Sequence, residues 1–162
     1  MKIRKAKLKD VPEIAELWTV FMKEHADIVR RVNPKLKPYT ILSKDAKEEF
    51  SSFAKRNIHS RNGGIVVAEE DGKLVGYTLF FIKKGPSVYT EKVFGYISDL
   101  FVKRGFRGKK ISSLFMEEAL KFFRKKGLKH SSLMVSPTNS HALNVYKKWG
   151  FQEYHMEMRR KT

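Results

Sequence analysis

The periodicity of the chain changes abruptly between Asp99 and Phe123. Asp99-Leu100-Phe101-Val102 reads as the end of a strand, Lys103 to Lys110 as a basic, glycine-bearing turn, and Ile111 to Phe123 as an amphipathic helix. Gly127 marks the helix stop, and Ser131 to Val135 reads as another strand. Strand, helix, strand in that order makes a β-α-β crossover, which requires the two strands to lie parallel. The turn itself is an anion cradle. The first turn of a helix presents N–H groups with no intrahelical partner and carries partial positive charge. Gly105 and Gly108 free the backbone to approach a ligand, and Arg104, Arg107, Lys109 and Lys110 place cations nearby. A diphosphate suits both features.

The flanking segments extend the pattern. Met1 to Ala6 alternates as an edge strand. Asp10 is placed to cap a first helix, with Pro12 in its first turn and Glu13 completing a capping box; Val11, Ile14, Leu17, Trp18, Phe21 and Met22 form its apolar stripe. Asn33-Pro34 and Pro38 interrupt it. Ser43 is placed to cap a second helix with the stripe Ala46, Phe50, Phe53, Ala54 and Ile58. Arg61 to Gly64 is a turn, after which Ile65 to Glu69 and Lys73 to Lys83 form an antiparallel hairpin around Asp71-Gly72. Val93 to Val102 is the next strand. The helix after the cradle should bury Ile111, Leu114, Phe115, Ala119, Phe122 and Phe123, a last helix should span Ser140 to Trp149, and Phe151 to Met158 should form a final strand.

The size of the chain, 162 residues with 41% hydrophobic, predicts one domain over residues 1–162. No stretch approaches the roughly 20 apolar residues of a membrane span, and Met1 to Lys5 is not followed by the apolar run of a signal peptide, so a cytoplasmic protein with no membrane partner is expected. With no cysteine there is no thiolate nucleophile and no disulfide. His25, His59, His130, His141 and His155 form no metal-ligand spacing, so no metal is expected. A net charge of +17 predicts salt-dependent attraction to polyanions. Ten basic residues between Phe101 and His130 face only Glu117 and Glu118. Phosphates bound in the cradle would explain part of that excess; the remainder is either a solvated surface or a nucleic-acid or ribosome contact, the alternative reading of the chain, although no nucleic-acid motif is present.

Two motifs carry a family resemblance. Arg107-Gly108-Lys109-Lys110-Ile111-Ser112 resembles the Arg/Gln-x-x-Gly-x-Gly/Ala phosphate loop of the GCN5-related N-acetyltransferases (GNAT), with Lys110 and Ser112 standing where that family has small residues. Asn139-Ser140-His141-Ala142-Leu143-Asn144-Val145-Tyr146-Lys147-Lys148-Trp149-Gly150-Phe151 is similar to the family's Asn-x-x-Ala-x-x-x-Tyr-x-x-x-Gly-Phe signature, with Asn139, Ala142, Tyr146, Gly150 and Phe151 in register.

The resemblance implies an α/β fold with a mixed, mainly antiparallel central sheet flanked by helices and a parallel β-α-β acetyl-CoA-binding core. It implies that acetyl-CoA lies where the strand ending at Val102 splays from the strand at Ser131. Main-chain groups of Leu100, Phe101 and Val102 would hold the pantetheine, and Arg107, Gly108, Lys109, Lys110, Ile111, Ser112 and Ser113 the pyrophosphate. Tyr146 stands at the position of the general acid that protonates the departing thiolate, and Asn139 either bonds the pantetheine or caps the last helix. Some polyamine-acetylating relatives carry Glu-Asp where this chain has Ser98-Asp99, which leaves Asp99 as the candidate base or a structural carboxylate. Lys147 and Lys148 are candidates for the cofactor's phosphate end. Tyr96, His25 and Tyr39 are places to look for acceptor contacts.

The implied activity is N-acetylation of a primary amine by direct transfer in a ternary complex. A small amine, a polyamine, a peptide N-terminus and a lysine side chain all remain open as acceptors. Dimers are common in the family, but no segment here defines an interface.

Overall fold

The computed structural model describes residues 1–160. Five strands, β1 (Lys2–Lys5), β2 (Gly63–Glu70), β3 (Lys73–Lys84), β4 (Val93–Val102) and β5 (Ser131–Leu133), form one sheet in the order β1-β2-β3-β4-β5. The first three pairings are antiparallel and the last is parallel. Four α-helices flank it: α1 (Val11–Val32), α2 (Ala46–His59), α3 (Ile111–Lys125) and α4 (Ser140–Lys148).

Helical periodicity divides the core between the two faces of the sheet. Val11, Ile14 and Leu17 of α1 and Phe50 and Ala54 of α2 pack on Ile65, Val67, Tyr77, Leu79 and Phe101. On the other face Ile111, Phe115, Met116, Ala119 and Phe123 of α3 pack on Val66, Val75, Phe80, Ile97 and Val102, with Tyr146, Trp149 and Phe151 against the same cluster. Gly95 permits the close approach of α3, since a Cβ there would fall 2.4 Å from the Phe123 ring.

Several local expectations are corrected. The Asp10 carboxylate does not cap α1; it turns back to accept Arg4 Nη1 and Nη2 at 2.7 and 3.0 Å and the Lys7 N–H at 2.7 Å. A charge-assisted fork outcompetes a cap, and Arg4 beside Asp10 holds that carboxyl below the usual range. Glu13 likewise leaves the capping box and accepts the Leu74 N–H at 2.7 Å, pinning α1 to β3. Ser43 lies too far upstream to cap α2, which starts at Ala46; it offers its carbonyl to the Ala46 N–H. Leu114 is 38% exposed at the margin of the α3 stripe, and Met116 takes the buried position. β5 stops at Leu133, short of Val135, and residues 151–160 form no strand. No residue of this stretch pairs with the free outer edge of the three-residue β5, and Tyr154, Met156 and Met158 are exposed, so no apolar face is buried to hold a strand there.

Candidate active site

The site is built where β4 and β5 part. Their pairing runs from Gly95–Ser131 to Ile97–Leu133 and ends there, while β4 continues to Val102. From Ser98 to Val102 β4 keeps β3 on one edge and has no strand on the other. Such an edge presents free N–H and C=O groups and is a template for an extended ligand.

A bulge aims the side chains. Leu79 pairs with Asp99 and Phe80 with Ile97, so Ser98 is the extra residue. Strict alternation would put Tyr96 and Asp99 on opposite faces; the inserted Ser98 brings both to the α1/α2 face, beside Phe81 and Leu79 respectively. The bulge is held where the Thr78 hydroxyl donates to the Asp99 carbonyl at 2.9 Å.

Asp99 is 8% exposed. Burial pushes its carboxyl up to about 6, against the opposing influence of the Ser98 and Tyr77 hydroxyls. Its charge in turn reaches three tyrosines: Tyr77, Tyr96 and Tyr146 are each raised above the ordinary phenol range, chiefly by burial and then by Asp99. The Tyr77 hydroxyl is fully buried in this cluster, and no hydrogen bond of good geometry reaches it. Tyr146 approaches from α4, its ring 5.9 Å from Trp149 and 6.1 Å from Phe151. It is therefore a protonated phenol at neutral pH, close enough to Asp99 to sense its charge.

The basic turn follows the parted edge directly in the chain. Gly108 (φ +81°) and Lys110 (φ +60°) both adopt left-handed conformations, so Lys110 does what a glycine would otherwise do at that place. Ile111, Ser112 and Ser113 open α3. The six successive amides from Gly108 to Ser113 donate to no backbone acceptor, whereas the Leu114 N–H bonds the Lys110 carbonyl. They form a concave donor set at a helix N-terminus.

The arginines of this turn face elsewhere than the sequence predicts. Arg104 Nε donates to Glu24 Oε1 at 3.0 Å, Arg107 donates to Glu24 Oε2 at 2.6 Å, and Arg107 Nε donates to the Val102 carbonyl at 2.9 Å. Both arginines thus clamp the turn to α1 rather than pointing into the cradle. Asn139 accepts the Ala142 N–H at 3.2 Å, so it caps α4. Lys147 pairs with Glu153 at 2.6 Å and not with the cradle. His25 is half-buried on α1, and burial lowers its imidazolium pKa. Tyr39 lies in the 3-10 segment Pro34–Thr40, under the Arg159 guanidinium. The sequence reading missed Tyr77, Thr78 and Glu24. Tyr77 and Thr78 left a signal, two adjacent hydroxyls in the otherwise apolar run from Leu74 to Ile82; Glu24 left none, because its partners lie 80 and 83 residues away.

The structure is thus a mixed α/β domain whose sheet parts next to the turn that opens α3, with the buried carboxylate of Asp99 and the phenol of Tyr146 close by. The family profile described as "Acetyltransferase (GNAT) family" matches residues 18–151, and the chain belongs to that family of acetyltransferases. It is 33% identical over 104 residues to an uncharacterized N-acetyltransferase of Archaeoglobus fulgidus, covering 62% of this chain and 67% of that protein. Its fold is shared with the BH1408 protein of Bacillus halodurans (tetramutant; TM-score 0.78, 21% identity, all of both chains). It is also shared with the aminoglycoside N-acetyltransferase AAC(6')-Iy solved with CoA (TM-score 0.71, 15% identity, 99% and 93% of the two chains).

Proposed function

We propose that the protein transfers the acetyl group of acetyl-CoA to a primary amine by direct attack within a ternary complex. The observation that carries this reading is the free β4 edge from Ser98 to Val102, followed in the chain after one short turn by the six amides of Gly108 to Ser113, which have no partner among the described residues. One ligand that is amide-bearing and extended at one end and a diphosphate at the other fits both. The main chain of Leu100, Phe101 and Val102 holds the pantetheine and polarises the thioester carbonyl. The amides of Gly108, Lys109, Lys110, Ile111, Ser112 and Ser113 hold the pyrophosphate, and Arg107 holds the turn in shape. Asn139 sets the start of α4, and so the place of Tyr146.

In the transfer the amine lone pair forms an N–C bond to the acetyl carbon, and the C–S bond breaks with its electron pair moving to sulfur. Tyr146 gives its proton to that sulfur. Asp99 accepts a proton from nitrogen. A carboxylate of pKa about 6 does not strip a free ammonium, but it takes the proton readily once the forming N–C bond acidifies the nitrogen. The absence of cysteine favours direct transfer over a thioester on the enzyme. The neighbouring fold named for aminoglycoside N-acetylation supports an amine as the acceptor.

The test is incubation with acetyl-CoA and a panel of amines, reading thiol release together with the mass of the amine product. Equal release of CoA and acetylated amine is expected; thiol release without an acetylated amine, or none at all, overturns the reading.

A further inference from the structure

Resting on that transferase reading, we infer that the acceptor is an amine set among carboxylates, the N-terminus or a lysine of an acidic peptide, and not a polycation. Three segments that touch β4 or the turn after it, or that follow those contacts in the chain, make up the mouth assigned to the cleft in this proposal. Helix α1 crosses the end of β4, where Phe21 packs 5.8 Å from Phe101 and Glu24 holds Arg104 and Arg107. It then runs on to Val32 and into the 3-10 segment Pro34–Thr40. The chain after α4 reaches that segment, with the Arg159 guanidinium 5.1 Å from the Tyr39 ring centroid. The end of β3 supplies the third boundary, placing Lys83 Nζ 4.3 Å from the centroid of Tyr96.

The charge of this mouth is lopsided. Residues 28–44 contain Arg30, Arg31, Lys35, Lys37 and Lys44 and no acid. Arg30 donates to the hydroxyl and carbonyl of Thr40, and none of the five is in an ion pair among the described residues. The acids of the surrounding segments are mostly answered already. Glu24 is held by two arginines, Glu153 by Lys147 and Glu157 by Arg159, while Glu91 shares a hydrogen bond with His130. Asp27 and Asp45 flank the basic stretch and leave it with a positive surplus. Inside, a single buried carboxylate, Asp99, stands among tyrosines. A spermidine or an aminoglycoside would bring one ammonium to Asp99 and leave its others against a cationic rim, which opposes approach and binding. An amine whose neighbours are carboxylates gains at both places, and a chain of net charge +17 draws it in.

The probes are a lysine-free peptide with a free N-terminus followed by glutamates, an N-blocked peptide with one lysine between glutamates, the glutamine counterpart of each, and spermidine. At low salt kcat/KM for one of the glutamate peptides should exceed that of its glutamine counterpart by about ten-fold, the gap shrinking at about 0.5 M salt. The arm that responds tells which amine is used. The triple substitution Arg31→Glu, Lys35→Glu and Lys37→Glu should reverse the order of glutamate and glutamine peptides, whereas a purely structural role would lower all probes alike. Glutamate peptides no better than glutamine ones, preference for spermidine, or CoA binding with no probe acetylated each overturn the proposal and leave the transferase reading to its own amine panel. Failure to bind CoA, with no transfer to any probe, removes both.

Discussion

Replacing Asp99 with Asn separates what the carboxylate costs the fold from what it supplies to the chemistry. Burial raises the Asp99 carboxyl from 3.8 to about 6, so the folded state binds that proton more tightly than the unfolded chain does. Stability from this group is fully present below about pH 4 and is lost as pH rises through about 6. Two pKa units at about 1.4 kcal/mol each make the ionised, buried form unfavourable by about 3 kcal/mol at pH 8. Asp99→Asn is nearly isosteric and removes the charge. It should therefore stabilise the protein by up to about 3 kcal/mol at pH 8 and by nearly nothing at pH 4. With a urea slope of about 2 kcal/mol/M, the unfolding midpoint rises by about 1.5 M at pH 8. The same variant should lose turnover and the acid limb of kcat/KM near pH 6 that the parent shows. Equal midpoints at pH 8, or a gain that does not depend on pH, would refute the assignment of a strained, titrating carboxylate. Stability gained where activity is lost is the expected signature of a group kept for function.

Other consequences are as direct. Tyr146→Phe removes the proton donor while keeping the ring against Trp149 and Phe151, so kcat should fall by about 10²-fold or more with KM for acetyl-CoA nearly unchanged in steady-state assays. Glu24→Ala releases both arginines of the turn; with Arg104 largely exposed the loss is about 1 kcal/mol, read as about a five-fold rise in KM for acetyl-CoA with kcat little altered. Gly95→Ala drives a Cβ to 2.4 Å from a Phe123 ring already packed on Phe80 and Phe122, and should lower stability by about 1–3 kcal/mol in urea unfolding at neutral pH.

What the sequence made legible was whatever is local. The β2–β3 hairpin, the crossover through α3, the glycines at 72, 108 and 127 and the helix from Ser140 each carry their periodicity or turn chemistry within about a dozen residues, and the structure places them as read. Phe101 and Val102 ended their strand where expected. The remainder was set by partners distant in the chain. Asp10 and Glu13 match a capping pattern, yet Arg4 and the Leu74 N–H claim their carboxylates. The bulge at Ser98 is decided by the register against β3, and no pattern within β4 announces it. Without it Tyr96 and Asp99 would lie on opposite faces. The charges of Arg104 and Arg107 were visible, but their direction was set by Glu24 on another helix. Tyr154, Met156 and Met158 alternate as a strand does, but alternation alone supplies no ladder to join.

Transfer at this site requires CoA to meet the backbone at the β4 edge and at the start of α3. Titrating CoA into isotopically labelled protein and following backbone amides by NMR reads this without any assumption about the acceptor. The amides of Gly108 to Ser113 and of the Ser98 to Val102 edge should shift furthest, saturating at one CoA per chain. A saturable CoA complex that leaves those amides unmoved, or no binding at all, would contradict it.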